Sequence, residues 1–186
     1  MPTLVVRNPE SGASCEIEGG HGFVYVIEAA TPGGLDALLD DLMEAPGSQV
    51  AHGVGGMVSN INVLENIALP ALYFGLARSR EFDARIVEAF GACGVDEAQA
   101  EALCRKHPGE LGPFEKRLAG FVRSLLMRPD VLVYNRFLEG LTGAEMERAI
   151  ALDAVYRGRN PAGTSVYLML GDLPAREIQC NQRHVT

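Results

Sequence analysis

Three short, continuously apolar runs constrain this chain more than any other feature. "GFVYVI" (residues 22–27), "DVLVY" (130–134) and "TSVYLML" (164–170) are rich in β-branched and aromatic residues. A strand that is apolar on both faces must be covered on both faces, as in a parallel sheet between helices. The stretches between the runs carry apolar residues at helical spacing. Leu35, Leu38, Leu39 and Leu42 form one stripe, and Phe82, Ile86, Val87 and Phe90 a second. Leu118, Phe121, Val122, Leu125 and Leu126 form a third. This alternation predicts an α/β domain with a mostly parallel sheet flanked by helices.

The remaining elements are read around that frame. Thr3–Arg7 reads as a further strand, and "GVGGMVSN" (53–60) as a short, glycine-weakened one. "EAATPGG" is a turn of small residues ahead of the helix over 35–43. Asn62 is placed to cap the helix in "VLENIALPALYFGLA", with Glu65 as its capping-box partner. Pro70 is expected to kink or interrupt that helix. Helices over 81–92 and 97–105 follow, so residues 62–110 read as an all-helical insertion in a single domain, 1–186. Arg128-Pro129 ends the next helix, and Thr142 caps a helix over 142–158. "PAREIQCNQ" (174–182) reads as a short last helix or tail. Ligands of open α/β sheets sit beyond the carboxyl ends of the strands. The informative positions are therefore those after Ile27, Tyr134 and Leu170.

Composition excludes several classes. The 24 acidic and 16 basic residues give a net charge of −8, which argues against a nucleic-acid partner. No stretch approaches the ~18 apolar residues of a membrane span, so no direct membrane insertion is expected. Met1–Asn8 lacks the pattern of a secretory signal. Cys15, Cys93, Cys104 and Cys180 form no C-x-x-C pair and read as free cytosolic thiols. His21, His52, His107 and His184 are scattered, with no metal-ligand spacing, and read as surface or loop residues. Glu139, Asp153 and Asp172 stand alone, with surface or capping roles.

The order of segments resembles a known family. "GGMVSNINVLENIALPALYFG" (55–75) is similar to the Q-loop region of ATP-binding-cassette (ABC) transporter ATPases. "VLENIALP" looks most like the branch linked to lipid trafficking and organic-solvent resistance. "PGELGPFEKRLAGFVRSLLMRPDVLVYNRFLEGLT" (108–142) resembles the signature helix, Walker B strand and D-loop in sequence. "GTSVYLMLGD" (163–172) resembles the strand leading to the switch histidine. The resemblance runs from Gly22 to Asp172 and implies a P-loop-NTPase-like fold.

The polar residues depart from that family. A phosphate loop needs G-x-x-x-x-G-K-[ST]. In "AATPGGLDA", Gly33 and Gly34 remain, Leu35 stands in the lysine's place and Asp36 in that of the Ser/Thr. Asp36 is expected to lie near a helix N-terminus, where its carboxylate occupies the field of a phosphate. Asn60 falls at the Q-loop glutamine. The signature loop becomes "LGPFE", with Gly112 followed by Pro113, Phe114 and Glu115, which bars close backbone approach to a phosphate. Asn135 and Arg136 replace the Walker B aspartate and catalytic glutamate. Asn is a poorer magnesium ligand, and Arg cannot act as a base. "EGLT" (139–142) loses the D-loop aspartate, and Gly171 replaces the switch histidine.

The resemblance therefore implies a degenerate ATPase domain that is not an enzyme, with no cofactor and no metal. It would serve a transport system by docking to a transmembrane permease or to a second ABC ATPase domain, or pair with itself. Its place would be cytoplasmic, peripheral at the inner membrane. Asn62, Val63, Leu64, Glu65, Asn66, Tyr73 and Phe74 belong to the segment that meets the permease in that family. The alternative is residual or partner-assisted binding of ATP and magnesium at Gly33 and Gly34. The segments before Gly22 and after Asp172 read as an abbreviated antiparallel part and a shortened sheet. Arg136 is expected to pair with Asp36 or Glu139 across the vacant phosphate site.

Overall fold

The computed structural model describes residues 3–8, 10–20, 22–53, 56–75, 79–171 and 178–185. His21, Asp172 and the first half of "PAREIQCNQ" lie outside them. Five parallel strands form the main sheet in the order β4-β5-β6-β3-β7. These are β3 (Val24–Ala29), β4 (Ser48–His52), β5 (Val131–Asn135), β6 (Thr164–Leu170) and β7 (Gln182–Val185). An antiparallel pair, β1 (Leu4–Arg7) and β2 (Ser14–Ile17), forms a small second sheet.

The buried strand residues divide between two faces. Tyr25, Ile27, Val131, Val133, Val166 and Leu168 share one cluster with helix α1 (Pro32–Glu44) and the small sheet. Val24, Val26, Leu132, Tyr134, Tyr167 and Met169 face the other helices. These are α2 (Val63–Tyr73), α3 (Ser79–Ala92), α4 (Glu97–Arg105), α5 (Pro113–Leu126) and α6 (Gly143–Arg159). The period of two in each strand sends alternate residues to opposite layers, so strands that read as continuously apolar are what this architecture requires. On the second face the aromatic rings stack in series. The Phe121 centroid lies 6.4 Å from that of Tyr134, which lies 4.4 Å from that of Tyr167.

Several expectations need correction. The strand before the Q-loop region is Ser48–His52; of "GVGGMVSN", Val54 and Gly55 lie outside the described residues and the described ones form no strand. At Gly53 the chain turns away so tightly that a Cβ would lie 1.8 Å from the Arg136 carbonyl. His52 is consequently a half-buried strand residue, its pKa lowered by burial and by Arg123. The strands β2 and β7 were not anticipated, and His184 lies in β7. Pro70 does not interrupt α2. It forgoes one N–H bond, but the next turn closes with Phe74 N–H donating to the Pro70 carbonyl at 3.0 Å. The helix stops instead at Gly75, φ 68°. The first helix starts at Pro32, earlier than expected, which bears directly on the site below. Burial raises the Cys15 and Cys104 thiols to about 11 and Cys93 to about 12.

Candidate functional site at the carboxyl end of the sheet

Strand β3 ends at Ala29, and only Ala30 and Thr31 separate it from α1. In a phosphate loop this connection is open, and its N–H groups converge on the ligand. Here it is wound into helix. Pro32 occupies the first helical position, and Thr31 is the N-cap, its Oγ1 accepting the Gly34 N–H at 3.0 Å. Winding the loop turns Leu35 inward. It is 1% exposed and packs in the cluster with Leu38 and Leu42. Asp36 is exposed.

The group at the start of α1 is not Asp36 but Glu10, from the β1–β2 turn. Its carboxylate accepts the Thr31 hydroxyl. A Cβ on Gly33 would lie 2.5 Å from Glu10 Oε1, and one on Gly34 2.7 Å from Asn8 Nδ2. Asn8 is 3% exposed and shapes the turn, its Oδ1 accepting the Glu10 N–H at 2.9 Å.

At the end of β5, Asn135 is buried and its Oδ1 has no hydrogen-bond partner. Arg136 adopts φ 51°, unusual for a residue with a side chain. Its N–H donates to Leu168 O at 2.9 Å, and its guanidinium grips Glu139 in two bonds, the Nη2 bond being 2.8 Å. The hydrogen bond to Glu139 raises the Arg136 pKa, and Asp36 adds a smaller push in the same direction. The same bond lowers the Glu139 pKa. Of the two acids named from the sequence, Glu139 is the direct partner of Arg136, and Asp36 acts on it only through its charge.

Beneath that pair, Arg117 of α5 is 5% exposed and donates to the Phe137 and Glu139 carbonyls at 3.1 and 2.5 Å. The adjoining cavity, about 210 Å³, is walled mainly by apolar residues such as Phe137, Leu138, Met146 and Met169. It lies below the ~300–1,000 Å³ typical of small-molecule sites. Gly171 stands beside the β3–α1 junction, its N–H donating to Ala29 O at 3.0 Å.

The signature-like segment meets this cluster through Arg117, whose Nη1 donates to Pro113 O at 3.4 Å. Pro113 opens α5 and Gly112 is its N-cap. Glu115 folds back, its Oε2 accepting the Gly112 N–H at 2.8 Å and its Oε1 meeting Lys106 at 2.9 Å. Burial works to raise the Glu115 pKa, but the Gly112 N–H and Lys106 outweigh it and hold it below the usual value. Phe114 is buried, with the Arg148 guanidinium 4.0 Å from its ring centroid.

Asn60 is an exposed turn residue. The neighbouring Asn66 organises that loop instead. It is 1% exposed, and its side chain bonds both the N–H and carbonyl of Val58 and the carbonyls of Ile61 and Asn62. Asn62 and Glu65 form the expected capping box. Val63 is buried and Leu64 partly so, whereas Leu69, Leu72, Tyr73 and Phe74 are exposed.

The structure therefore gathers Gly33, Gly34, Leu35, Asp36, Asn135, Arg136 and Gly171 at one end of the sheet, links Pro113 to the turn after β5 through Arg117, and leaves Asn60 in an exposed turn. Asn8, Glu10, Thr31 and Arg117 escaped the sequence reading. "NPESG" carries an asparagine-led turn signal, but nothing local shows where that turn docks. The donor set does not fit a magnesium-bound phosphate. It presents an inward leucine, a carboxylate at the helix start and an arginine already paired. No cluster of His, Cys, Asp or Glu able to hold a metal occurs among the described residues. No helix among them is long and apolar enough to cross a membrane.

The sheet order and the flanking helices define the fold of an ABC-type ATPase domain. The chain superposes on cbiO1 from Clostridium perfringens, part of the cbiONQ ABC transporter complex, with a TM-score of 0.72 and 15% identity. That match covers 100% of this chain and 85% of the other. An inward-facing metal-chelate type ABC transporter gives a TM-score of 0.70 at 12% identity, covering 91% of this chain and 73% of that one. In sequence, the chain is 29% identical over 85 residues to the methionine import ATP-binding protein MetN 2 of two Pseudomonas aeruginosa strains. The match takes in 46% of this chain and 24% of that protein, so it spans about a quarter of the length of the curated relatives. No protein-family model matches the chain.

Proposed function

We propose that this chain is a non-catalytic, ABC-ATPase-like subunit of a transport system, acting by docking to a permease or to a partner ATPase domain. Leu35 carries the non-catalytic part of the reading. The position that should neutralise the outer phosphates holds a side chain that is 1% exposed and built into the core. Asn135 and Arg136 add a neutral ligand and a permanent cation where magnesium binding and water activation need carboxylates. The fold persists because Leu35 joins the apolar layer on its side of the sheet and the strands keep their buried residues.

Docking is supported by the end of α2. Leu69, Leu72, Tyr73 and Phe74 are 46%, 56%, 83% and 61% exposed, with Tyr73 and Phe74 in edge-to-face contact. A contiguous apolar and aromatic patch of this kind marks an interaction surface. The likeness of "VLENIALP" to the lipid-trafficking branch favours a transport system of that kind, with this chain peripheral to the inner membrane on its cytoplasmic side.

Two measurements test the proposal. Tagged protein should co-purify with a permease or an intact ATPase. Tyr73→Ala/Phe74→Ala should cut that recovery at least about tenfold, the size of a hot-spot loss. Equal recovery by the double variant removes α2 from the interface. Calorimetric titration with Mg-ATP should show no binding tighter than about 100 μM, roughly −5.5 kcal/mol. A tighter constant would sink the non-nucleotide reading and favour residual binding at Gly33 and Gly34.

A further inference from the structure

The β1–β2 turn and the start of α1 are separated by about twenty residues, yet they are built into each other. Thr31 donates its hydroxyl to Glu10 while its oxygen accepts the Gly34 N–H. Gly33 lies against the Glu10 carboxylate and Gly34 against the Asn8 amide, each too closely for a Cβ. The turn is itself prefolded. Asn8 Oδ1 accepts the Glu10 N–H, Asn8 N–H donates to Ala13 O at 2.8 Å, and Gly12 N–H donates to Asn8 O at 2.9 Å. Helix α1 has no acidic residue in its first turn, so the anion that its dipole favours comes from elsewhere in the chain.

We infer that Asn8 and residues 10–13 form a tethered occupant of the phosphate position, a built-in carboxylate latch that keeps anions from the start of α1. The inference deepens the non-nucleotide reading and rests on it. It gives the glycine pair a different task from the one its motif suggests. Gly33 and Gly34 do not wrap a phosphate; they clear room for the incoming turn. A second helix is treated in the same way, since the start of α5 is closed by Glu115 of its own first turn. The two closures differ in kind. Glu115 is local and caps its own helix, whereas Glu10 reaches α1 from the turn of the small sheet.

Hydrogen exchange on Glu10→Ala and Gly34→Ala, with and without inorganic phosphate at matched ionic strength, tests this. Glu10 is exposed, so its truncation leaves the core intact. Alanine at Gly34 favours helix, so any loosening there comes from the lost fit against Asn8. In both variants the amides of residues 10–13 should exchange about tenfold faster, the effect of losing one capping bond. Phosphate should slow exchange at Thr31–Leu35 in Glu10→Ala and leave the wild type unchanged. Unaltered exchange of the turn in both variants overturns the latch. So does phosphate protection seen equally in wild type and Glu10→Ala, or in neither. The Mg-ATP titration of wild type is independent of these readouts. Tight binding there would refute both readings, whereas no ATP binding with an unaltered turn here would overturn the latch alone.

Discussion

Leu35→Lys, the substitution that would restore the motif, should destabilise the protein by about 3–5 kcal/mol and give no ATPase activity. The magnitude is that of an uncompensated charge left in a core. Leu35 is 1% exposed and packs beside Leu38, Leu42 and the strand residues Ile27 and Val133. A lysine there would lose its proton more readily than in water. Its folded pKa would fall below the unfolded ~10.4. Between those two values the unfolded state binds more protons, so stability rises with pH. The deficit should therefore shrink as pH climbs towards about 10, and be largest near neutrality and below. Urea unfolding across that range measures it. Leu35→Met conserves volume and should cost less than about 1.5 kcal/mol, which separates charge from shape. If Leu35→Lys instead kept wild-type stability and bound Mg-ATP, the β3–α1 junction would have rewound into a phosphate loop.

How far the fold can be read from the residues depends on what each strand buries. β3, β5 and β6 were legible because they are central and covered on both faces. β4 was not, because Ser48, Gln49 and His52 interrupt it and it pairs with one neighbour only, β5. β7, "QRHV", also pairs on one side, and three of its residues are exposed, so its pattern signals no strand. β2 is half-legible: Cys15 and Ile17 are buried and Ser14 and Glu16 are not, but four residues are too few to count as a period.

The site divides along the same line. Residues such as Leu35 and Arg136 could be placed from the sequence because their spacing from strand and helix is local. Replacements supplied from elsewhere were not. Glu10 reaches Thr31 from the turn of the small sheet, and Arg117 reaches the turn at Phe137 from α5, and periodicity carries no information about either docking. The Asp36 expectation failed for a related reason. The loop wound into helix earlier than the motif implies, which placed Asp36 beyond the first turn and left that place to a different acid.

Arg117→Met should cost about 2–3 kcal/mol, because charge-assisted hydrogen bonds contribute about 1.5–3 kcal/mol and the carbonyls they serve are left unpaired. Arg117 sits one turn into α5, with three donors used. Nε meets Phe137 O, Nη2 meets Glu139 O, and Nη1 meets Pro113 O at 3.4 Å. Burial lowers its pKa, with Glu139 and Glu145 opposing the shift, but a guanidinium stays protonated under working conditions. It therefore holds the turn after β5 from below, while Arg136 and Glu139 close it from above. Methionine keeps most of the stem and its packing, so the loss reads the guanidinium itself. Arg117→Lys keeps a charge but not the fork, and should recover only part of the stability. Hydrogen exchange at residues 137–141 locates the effect: in Arg117→Met these amides should exchange faster while those of β5 stay protected. An equal rise in both would mean that Arg117 supports the whole sheet. Confinement to the turn would mean that Arg117 serves the turn after β5 alone, holding in shape the segment that carries Arg136 and Glu139.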